Sequence, residues 1–235
     1  MRSKFIISIF TIALSVWSCG SSQQGVSRTA TGAPTTGKKG WQPLIGKIPA
    51  NHWHNYLQED VAGWQIVDGT LFSSGNNGDL VSHDLFDDFE LHVEWKIEKG
   101  GNSGIFFHVS EDVQYAGMYQ TGPEFQLIDN DNYAEPLQAN QVTGSASDVL
   151  APTLDATRHA GSWNTTTIIV DRGKVEHWLN GKKILAYDLE SPQWKAAVAR
   201  SKFHDFDYAL VRKGRIGLQD HGHPVWFRNI RVRRL

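Results

Sequence analysis

Residues 122–127 (Gly-Pro-Glu-Phe-Gln-Leu) contain the strongest candidate for acid–base chemistry in the chain. Glu124 and Gln126 alternate with apolar residues, which predicts a strand that turns both polar side chains to the same side. A carboxyl group in a partly desolvated site has a raised pKa and can exchange a proton near neutral pH. Glu124 is therefore the first catalytic candidate, and Gln126 is a substrate-binding candidate. A strand-end glutamate paired with a basic residue would show the same pattern.

Three other segments alternate in the same way, and their polar or aromatic side chains point away from the apolar ones. If the four strands are neighbours in one sheet, the following side chains share one face: His92, Glu94, Phe106, His108, Glu124, Gln126, Gln219 and His221. Glu94 and His221 are further catalytic candidates, because a second carboxylate and a histidine can both transfer protons. The remaining members are substrate-binding candidates. Glu94 could equally form a cross-strand ion pair, and His221 could bond to the backbone of its turn.

Aromatic side chains near these strands are candidate walls of a binding site. Tyr115 and Tyr119 lie in the glycine-containing loop before Glu124. Trp178 alternates away from the apolar residues of its own segment, which predicts an exposed ring. His177, on the apolar side of the same segment, is predicted to be a core histidine with satisfied hydrogen bonds.

Asp129 and Asp131 belong to an oxygen-rich run at residues 129–135 (Asp-Asn-Asp-Asn-Tyr-Ala-Glu). Their spacing matches the start of a calcium loop, so a divalent cation such as calcium is the one cofactor that the sequence suggests. The run lacks the glycine and the distant glutamate of the helical calcium motif, and an ordinary Asn- and Asp-rich turn explains it as well. Motifs for phosphate binding, zinc proteases and serine hydrolases are absent from the sequence.

Composition excludes several classes of protein. The formal net charge of −2 over 235 residues provides no basic surface for nucleic acid, which we exclude as a partner. A single cysteine excludes an internal disulfide framework and a thiolate metal cluster. Nine tryptophans and a charged fraction of only 20% favour an all-β protein with aromatic surfaces over a helical one.

The N-terminal residues resemble a bacterial lipoprotein signal. Two basic residues precede an apolar run of about 13 residues, shorter than the roughly 20 of a membrane-spanning helix. The run leads to Cys19, the only cysteine of the chain. We predict a signal peptide over 1–18, lipidation of Cys19 and a flexible polar tether over 19–40, with the lipid anchored in the bacterial cell envelope. The expected membrane is the outer membrane, on its periplasmic or surface side. An ordinary secretory signal is the alternative, because Trp17 is unusual before a lipidated cysteine.

The pattern of residues 41–235 indicates one all-β domain. Short alternating segments are separated by turn dipeptides such as Asn180-Gly181. This pattern predicts two antiparallel sheets packed as a β-sandwich or jelly roll. Residues 129–162 lack periodicity and predict one long loop, which in a compact domain is usually functional. Residues 192–201 predict one short helix that begins with proline.

Seven segments resemble, in order and spacing, the 3-keto-disaccharide hydrolase domain family. They are residues 88–95 (DFELHVEW), 101–107 (GNSGIFF), 122–129 (GPEFQLID), 161–164 (GSWN), 177–181 (HWLNG), 214–222 (GRIGLQDHG) and 225–230 (VWFRNI). The resemblance covers residues 41–235 and implies a concanavalin A-like sandwich, a fold that also hosts unrelated activities. The chain departs from the family pattern at His108, where the family often has arginine.

The resemblance also implies a function, the hydrolysis of glycosides or disaccharides in which one sugar carries a ketone at C3. In the mechanism that we expect, Glu124 or His221 removes the C2 proton, which the ketone makes acidic, and Glu94 helps the C1 substituent to leave. His108 or Gln126 would stabilise the enolate oxygen. Two alternatives stay open: an ordinary glycosidase with Glu94 and Glu124 as its two carboxylates, and a non-catalytic carbohydrate-binding module.

Overall fold

A computed structural model of the protein describes residues 40–235. The predicted signal peptide (1–18), the predicted lipidation site Cys19 and the tether up to residue 39 lie outside the described residues. Among residues 40–235, no helix has the length and apolar character needed to cross a membrane.

Thirteen strands and one α-helix make up the regular structure of the described part of the chain. In chain order they are β1 (Gln42–Pro43), β2 (Trp53–Asn55), β3 (Gln65–Val67), β4 (Thr70–Ser73), β5 (Leu80–Ser82), β6 (Phe89–Ile97), β7 (Asn102–Val109), β8 (Glu124–Ile128), β9 (Asn164–Asp171), β10 (Lys174–Leu179), β11 (Lys182–Asp188), α1 (Pro192–Val198), β12 (Arg215–Leu218) and β13 (Val225–Arg234). Short 3₁₀ turns occupy Pro49–Asn51 and Met118–Gln120.

The strands form two antiparallel sheets. The eight-stranded sheet has the order β11-β10-β9-β6-β13-β4-β3, and β1 pairs with β13. The five-stranded sheet has the order β2-β5-β12-β7-β8. The predicted two-sheet, all-β sandwich with one short helix is confirmed.

The hydrophobic core lies between the two sheets and follows from the period-two pattern. In β6, every second residue from Phe89 to Ile97 is buried, and the residues between them are half-exposed. Phe107 of β7 meets Phe89 edge-on, with ring centroids 6.2 Å apart. Burial of these apolar inner faces holds the two sheets together.

The tight turns form where the sequence predicts them, and the helix begins at Pro192 as predicted but ends at Val198, short of the predicted residue 201. Arg172-Gly173 joins β9 to β10 with φ angles of 47° and 79°, the left-handed geometry of a two-residue hairpin turn. Asn180-Gly181 joins β10 to β11 in the same way, with φ angles of 49° and 80°. The Ser191 hydroxyl accepts the backbone N–H of Trp194 at 3.1 Å and caps the N-terminus of α1.

The predicted long loop is present between β8 and β9 and runs along the outer edge of β8. The N–H of Gly144 donates to the carbonyl of Gln126 at 2.9 Å, and the N–H of Gln126 donates to the carbonyl of Ser145 at 3.2 Å. The N–H of Ser147 donates to the carbonyl of Glu124 at 3.1 Å. The loop therefore satisfies backbone groups that an edge strand would otherwise expose, and it places its own side chains beside Glu124.

Candidate functional site

Glu124 begins β8, and its side chain lies on the outer face of the five-stranded sheet. Phe125 and Leu127 point into the core, so Glu124 and Gln126 point outward, as predicted. The Glu124 side chain extends over Gly104 of the neighbouring strand β7, where an added Cβ would lie 2.1 Å from Glu124 Oε1. Glycine at position 104 therefore makes room for the carboxyl group.

The carboxyl group of Glu124 is held in its protonated form by its surroundings. Only 6% of the residue is exposed, and burial raises its pKa to about 8 because the charged form loses its hydration. The hydroxyl of Ser147 and the charge of Lys202 oppose this shift, whereas the carboxylates of Asp148 and Asp79 add to it. At neutral pH Glu124 is therefore mainly uncharged and can donate a proton.

Asp79 is a second carboxyl group on this face, and the sequence patterns did not identify it. It directly precedes the core residue Leu80 of β5 and so points outward. Burial raises the pKa of Asp79 to about 6, and the charge of Asp220 adds to the shift. The backbone N–H of Asp220 donates to Asp79 Oδ1 at 2.9 Å and opposes it. Because Asp79 follows the turn dipeptide Asn77-Gly78, it resembles an ordinary turn residue, and only its position before an apolar strand could have signalled it.

Amide side chains lie on the same face as the two carboxyl groups. Across the sheet, Gln126 pairs with Gly104, whose carbonyl accepts the N–H of Gln219 at 2.9 Å. The Gln126 amide is fixed, since Nε2 donates to Asn102 Oδ1 at 2.9 Å and Oε1 accepts the Ser147 hydroxyl at 2.7 Å. The side-chain oxygen of Gln219 is buried and has no hydrogen-bond partner among residues 40–235. The side-chain oxygen of Gln219 is therefore a hydrogen-bond acceptor that residues 40–235 leave unpaired on this face.

His221, Tyr115 and Tyr119 lie in loops beside this sheet. His221 occupies the exposed turn after β12. Tyr119 is 41% exposed and packs edge-on against Phe206, with ring centroids 5.8 Å apart. Tyr115 donates its hydroxyl to Asp207 at 2.6 Å. The two tyrosines thus link the loop before β8 to the segment after α1, and their part in binding, like that of His221 in catalysis, stays a prediction.

Phe106 shares this outer face but is covered by other side chains. It is 1% exposed and packs in a small apolar cluster with Val81, Val109 and Met118. Met118 comes from the 3₁₀ turn before β8 and lies so close to the sheet that a Cβ at Gly217 would be 2.3 Å from its sulfur. Phe106 therefore has a packing role in this part of the sheet. The prediction that it contacts a substrate is not supported, because its ring is covered.

His108 does not lie on the predicted face, because the alternation of β7 is broken at this residue. Its φ is 53°, and the register of β7 with β12 shifts nearby. The ring turns towards the core, with its centroid 6.0 Å from that of Phe89, and Nε2 lies 2.8 Å from the carbonyl oxygen of Asp87. Only 2% of His108 is exposed, and burial lowers its pKa. The predicted contact between His108 and a substrate is not supported by this placement.

Glu94 and His92 are separated from Glu124 by the thickness of the sandwich. Both belong to β6 in the eight-stranded sheet, so they lie on the opposite outer face. Glu94 accepts hydrogen bonds from Arg228 Nε at 2.8 Å and from Asn229 at 2.6 Å. Burial alone would raise the pKa of Glu94, but these partners lower it below its ordinary value. The prediction of a single shared face was wrong, because alternation shows where a side chain points and not which strands are neighbours.

Comparison with known proteins identifies the domain that holds this site. Residues 40–233 match the 3-keto-alpha-glucoside-1,2-lyase-like domain. The chain belongs to this family. Over 216 residues it is 34% identical to a 3-keto-disaccharide hydrolase of Bacteroides thetaiotaomicron, covering 78% of this chain and 74% of that protein. The family resemblance predicted from the seven segments is confirmed.

Solved structures show the same architecture for the lyase-like domain. A crystal structure of a candidate glycosyl hydrolase from Parabacteroides distasonis is 35% identical, covers 83% of this chain and 94% of its own, and superposes with a TM-score of 0.80. A second one from the same organism is 26% identical, covers 83% of this chain and 100% of its own, and has a TM-score of 0.66.

The predicted metal ligands Asp129 and Asp131 of the lyase-like domain form hydrogen bonds within their own turn and with two other segments. The carboxylate of Asp129 accepts the backbone N–H of Gly100 at 2.9 Å and that of Asp131 at 3.1 Å. Asp131 lies 3.1 Å from a ring nitrogen of His159. Among residues 40–235, no group of three or more His, Cys, Asp or Glu side chains is arranged to hold a metal ion. These hydrogen bonds account for the carboxylates of this run, and calcium binding stays a prediction.

His177 is a core residue of the lyase-like domain, as predicted. It is fully buried, with Nδ1 3.0 Å from the carbonyl oxygen of Gly144 and Nε2 3.1 Å from the hydroxyl of Tyr187. Burial lowers its pKa to about 4, so the ring is neutral at physiological pH. Its role is structural, since it joins the long loop to the eight-stranded sheet.

Proposed function

We propose that this protein hydrolyses glycosides or disaccharides that contain a 3-keto sugar. Its relative at 34% identity is a 3-keto-disaccharide hydrolase, and a solved relative at 35% identity is a candidate glycosyl hydrolase. These relatives support a glycoside hydrolase-type activity. The choice of a keto sugar is our proposal and follows the activity of that relative, and the elimination mechanism is our proposal from the acid–base groups of the site.

The observation that carries the proposal is a pair of carboxyl groups with different raised pKa values. The pKa of Asp79 is about 6 and that of Glu124 is about 8. At pH 7 Asp79 is therefore mainly charged and can accept a proton, whereas Glu124 is mainly protonated and can donate one. Two groups whose environments separate their pKa values in this way are suited to act as a general base and a general acid.

The proposed reaction begins at C2 of the sugar, where the neighbouring C3 ketone makes the proton acidic. Asp79 takes this proton, a double bond forms between C1 and C2, and the bond from C1 to the leaving oxygen breaks. Glu124 protonates the departing oxygen. Water then adds across the double bond, placing a hydroxyl on C1 and a proton on C2, and both carboxyl groups return to their starting states.

The amide of Gln219 is the group that we propose for the C3 oxygen, on which negative charge develops. Its backbone is anchored to Gly104, and its side-chain NH2 group would donate to the C3 oxygen, whereas its side-chain oxygen, which has no partner among the described residues, would accept a hydrogen bond from a sugar hydroxyl. The Gln126 amide already donates to Asn102, and His108 is turned away towards the core. A donor that is positioned before the reaction stabilises developing charge without reorganisation.

Two observations count against the alternative functions as the sequence predicted them. The two-carboxylate glycosidase with Glu94 and Glu124 requires the two groups to flank one bond, but they lie on the outer faces of different sheets. A non-catalytic binding module has no need for a carboxyl group that burial keeps protonated at Glu124.

The test uses the full chain with 4-nitrophenyl glucoside oxidised at C3 and with the unoxidised parent. We expect release of 4-nitrophenol from the oxidised glucoside alone, because only that sugar has an acidic C2 proton. Equal release from both glucosides would favour an ordinary glycosidase. Binding of the sugars without release from either would favour a binding module and overturn the proposal.

A further inference from the structure

The outer face of the eight-stranded sheet carries a groove of about 360 Å³, far from Glu124. Its main lining residues are Glu90, His92, Thr165, Thr167 and Trp178. Trp178 of β10, Thr167 of β9 and His92 of β6 are paired in one line across the sheet. Neighbouring strands are about 4.8 Å apart, so the side chains of Trp178 and His92 stand about 10 Å apart with threonines as the floor between them.

The tryptophan wall of the groove is held in place. The Trp178 indole N–H donates to Glu176 Oε2 at 2.8 Å, and Lys183 Nζ binds the other oxygen of Glu176 at 3.2 Å. On the opposite side, the ring of His92 packs edge-on against Trp41, with centroids 6.5 Å apart. An aromatic wall that is already oriented loses little conformational freedom when a flat ligand stacks on it.

The lining of the groove is close to electrically neutral. Glu90 is paired with Arg233, whose Nε donates to Glu90 Oε2 at 2.7 Å. Burial and the nearby charge of Arg231 lower the pKa of His92, so its ring is neutral at pH 7. The threonine hydroxyls are uncharged, and the ammonium of Lys183, 5.6 Å from the centre of the Trp178 ring, is paired with Glu176. An uncharged ligand with many hydroxyl groups and an apolar face complements this lining better than an ion does.

We propose that this groove is a second carbohydrate-binding site, which holds a pyranose ring of a neutral oligosaccharide against Trp178. The apolar face of the sugar stacks on the indole, and its hydroxyl groups bond to Glu90, Thr165 and Thr167. The site is distinct from the catalytic face because the two lie on the outer faces of different sheets. The ligand class rests on the proposed function, whereas the groove itself does not.

The test measures binding of maltohexaose, cellohexaose and laminarihexaose by calorimetry. None of them carries a ketone, and Glu124→Gln is used as the background so that turnover plays no part. We expect at least one of these sugars to bind and Trp178→Ala to weaken that binding at least about tenfold. Thr167→Tyr fills the groove floor with a residue that suits a strand, and we expect the same loss.

Trp226→Ala is the matched control. Trp226 lies on the same sheet face but outside the groove, where it stacks on Phe72 with ring centroids 5.2 Å apart, so its removal should leave binding within about twofold.

Four results would overturn the inference. The first is that none of the three sugars binds, and the second is that binding is unchanged in folded Trp178→Ala and Thr167→Tyr. The third is that the unsubstituted chain binds a sugar but Glu124→Gln does not, which would place the sugar at Glu124. The fourth is that polygalacturonate binds more tightly than the neutral sugars. A protein that binds these sugars through Trp178 but releases nothing from the 3-keto-glucoside would contradict the proposed function alone.

Discussion

Glu124 and Gly104 occupy one space on neighbouring strands, since the carboxyl group fills the position that a side chain at 104 would take. A Cβ on Gly104 would lie 2.1 Å from Glu124 Oε1, 2.8 Å from Cδ and 3.0 Å from Cγ. The carboxyl position therefore depends on the absence of a side chain on the next strand.

Gly104→Ala tests this dependence. The φ angle of Gly104 is outside the left-handed region, so alanine fits the backbone, but its methyl group must push the end of the Glu124 side chain aside. We expect kcat/KM on the 3-keto-glucoside to fall at least about tenfold while the fold persists, because misplacing a reacting group by about 1 Å is costly. Steady-state kinetics and thermal unfolding check this, and a folded variant with unchanged kcat/KM would contradict the placement of Glu124.

Glu124→Gln should lower kcat at least about a hundredfold, the usual scale for a positioned acid–base group. Glutamine keeps the shape of the side chain but cannot donate a proton, so binding should change little. Glu94→Gln is the matched control, because Glu94 is in an ion pair with Arg228 on the other sheet, and we expect its kcat to stay within about twofold of the unsubstituted protein. Comparable losses of kcat in the two variants would show that catalysis is wrongly assigned to the face of the five-stranded sheet.

The activity should have a bell-shaped dependence on pH. Asp79 must be charged to accept a proton, so kcat/KM should fall below a pH of about 6, where Asp79 becomes protonated. Glu124 must be protonated to donate, so kcat/KM should also fall above a pH of about 8. Asp79→Asn should lower activity at least about a hundredfold and remove the acidic limb. A rate that keeps rising with pH above 8 would rule out Glu124 as the acid.

Much of the fold was predictable because period-two alternation and turn dipeptides are local features. The sandwich, the long loop, the helix after Ser191 and the outward direction of Glu124 and Gln126 all follow from residues close in the chain. The assignment of His177 to the core also followed from alternation, since its neighbours Val175 and Leu179 are apolar.

The predictions about the site were wrong where the pairing of strands that are distant in the chain determines the position of a side chain. Apolar and polar residues alternate around Glu94 as regularly as around Glu124, but no local feature of β6 shows that this strand belongs to the other sheet. At His108 the positive φ angle reverses the direction of the side chain, and no glycine at that position signals it. Asp79 joins the site only because β5 pairs with β12, which places it beside Asp220.

The proposed lipid anchor at Cys19 has its own test. Cys19→Ser removes the thiol that would carry the lipid, so the protein should appear in the soluble fraction or stay unprocessed. The activity on the 3-keto-glucoside should be unchanged, because the matched domain begins at residue 40. Fractionation of the producing bacteria and mass measurement of the N-terminus check this. A variant that is processed and retained in the membrane like the unsubstituted protein would contradict the anchor.

The most direct test of the proposed chemistry is to follow the C2 hydrogen of the sugar during turnover in deuterium oxide. If Asp79 removes the C2 proton and water later adds across the double bond, the released 3-keto sugar should carry deuterium at C2, seen by proton NMR as loss of the C2 signal. The released sugar incubated without protein corrects for spontaneous exchange. Released sugar that retains its hydrogen at C2, together with an unchanged kcat/KM for a glucoside deuterated at C2, would show that the C1 bond breaks without elimination and would contradict the proposed mechanism.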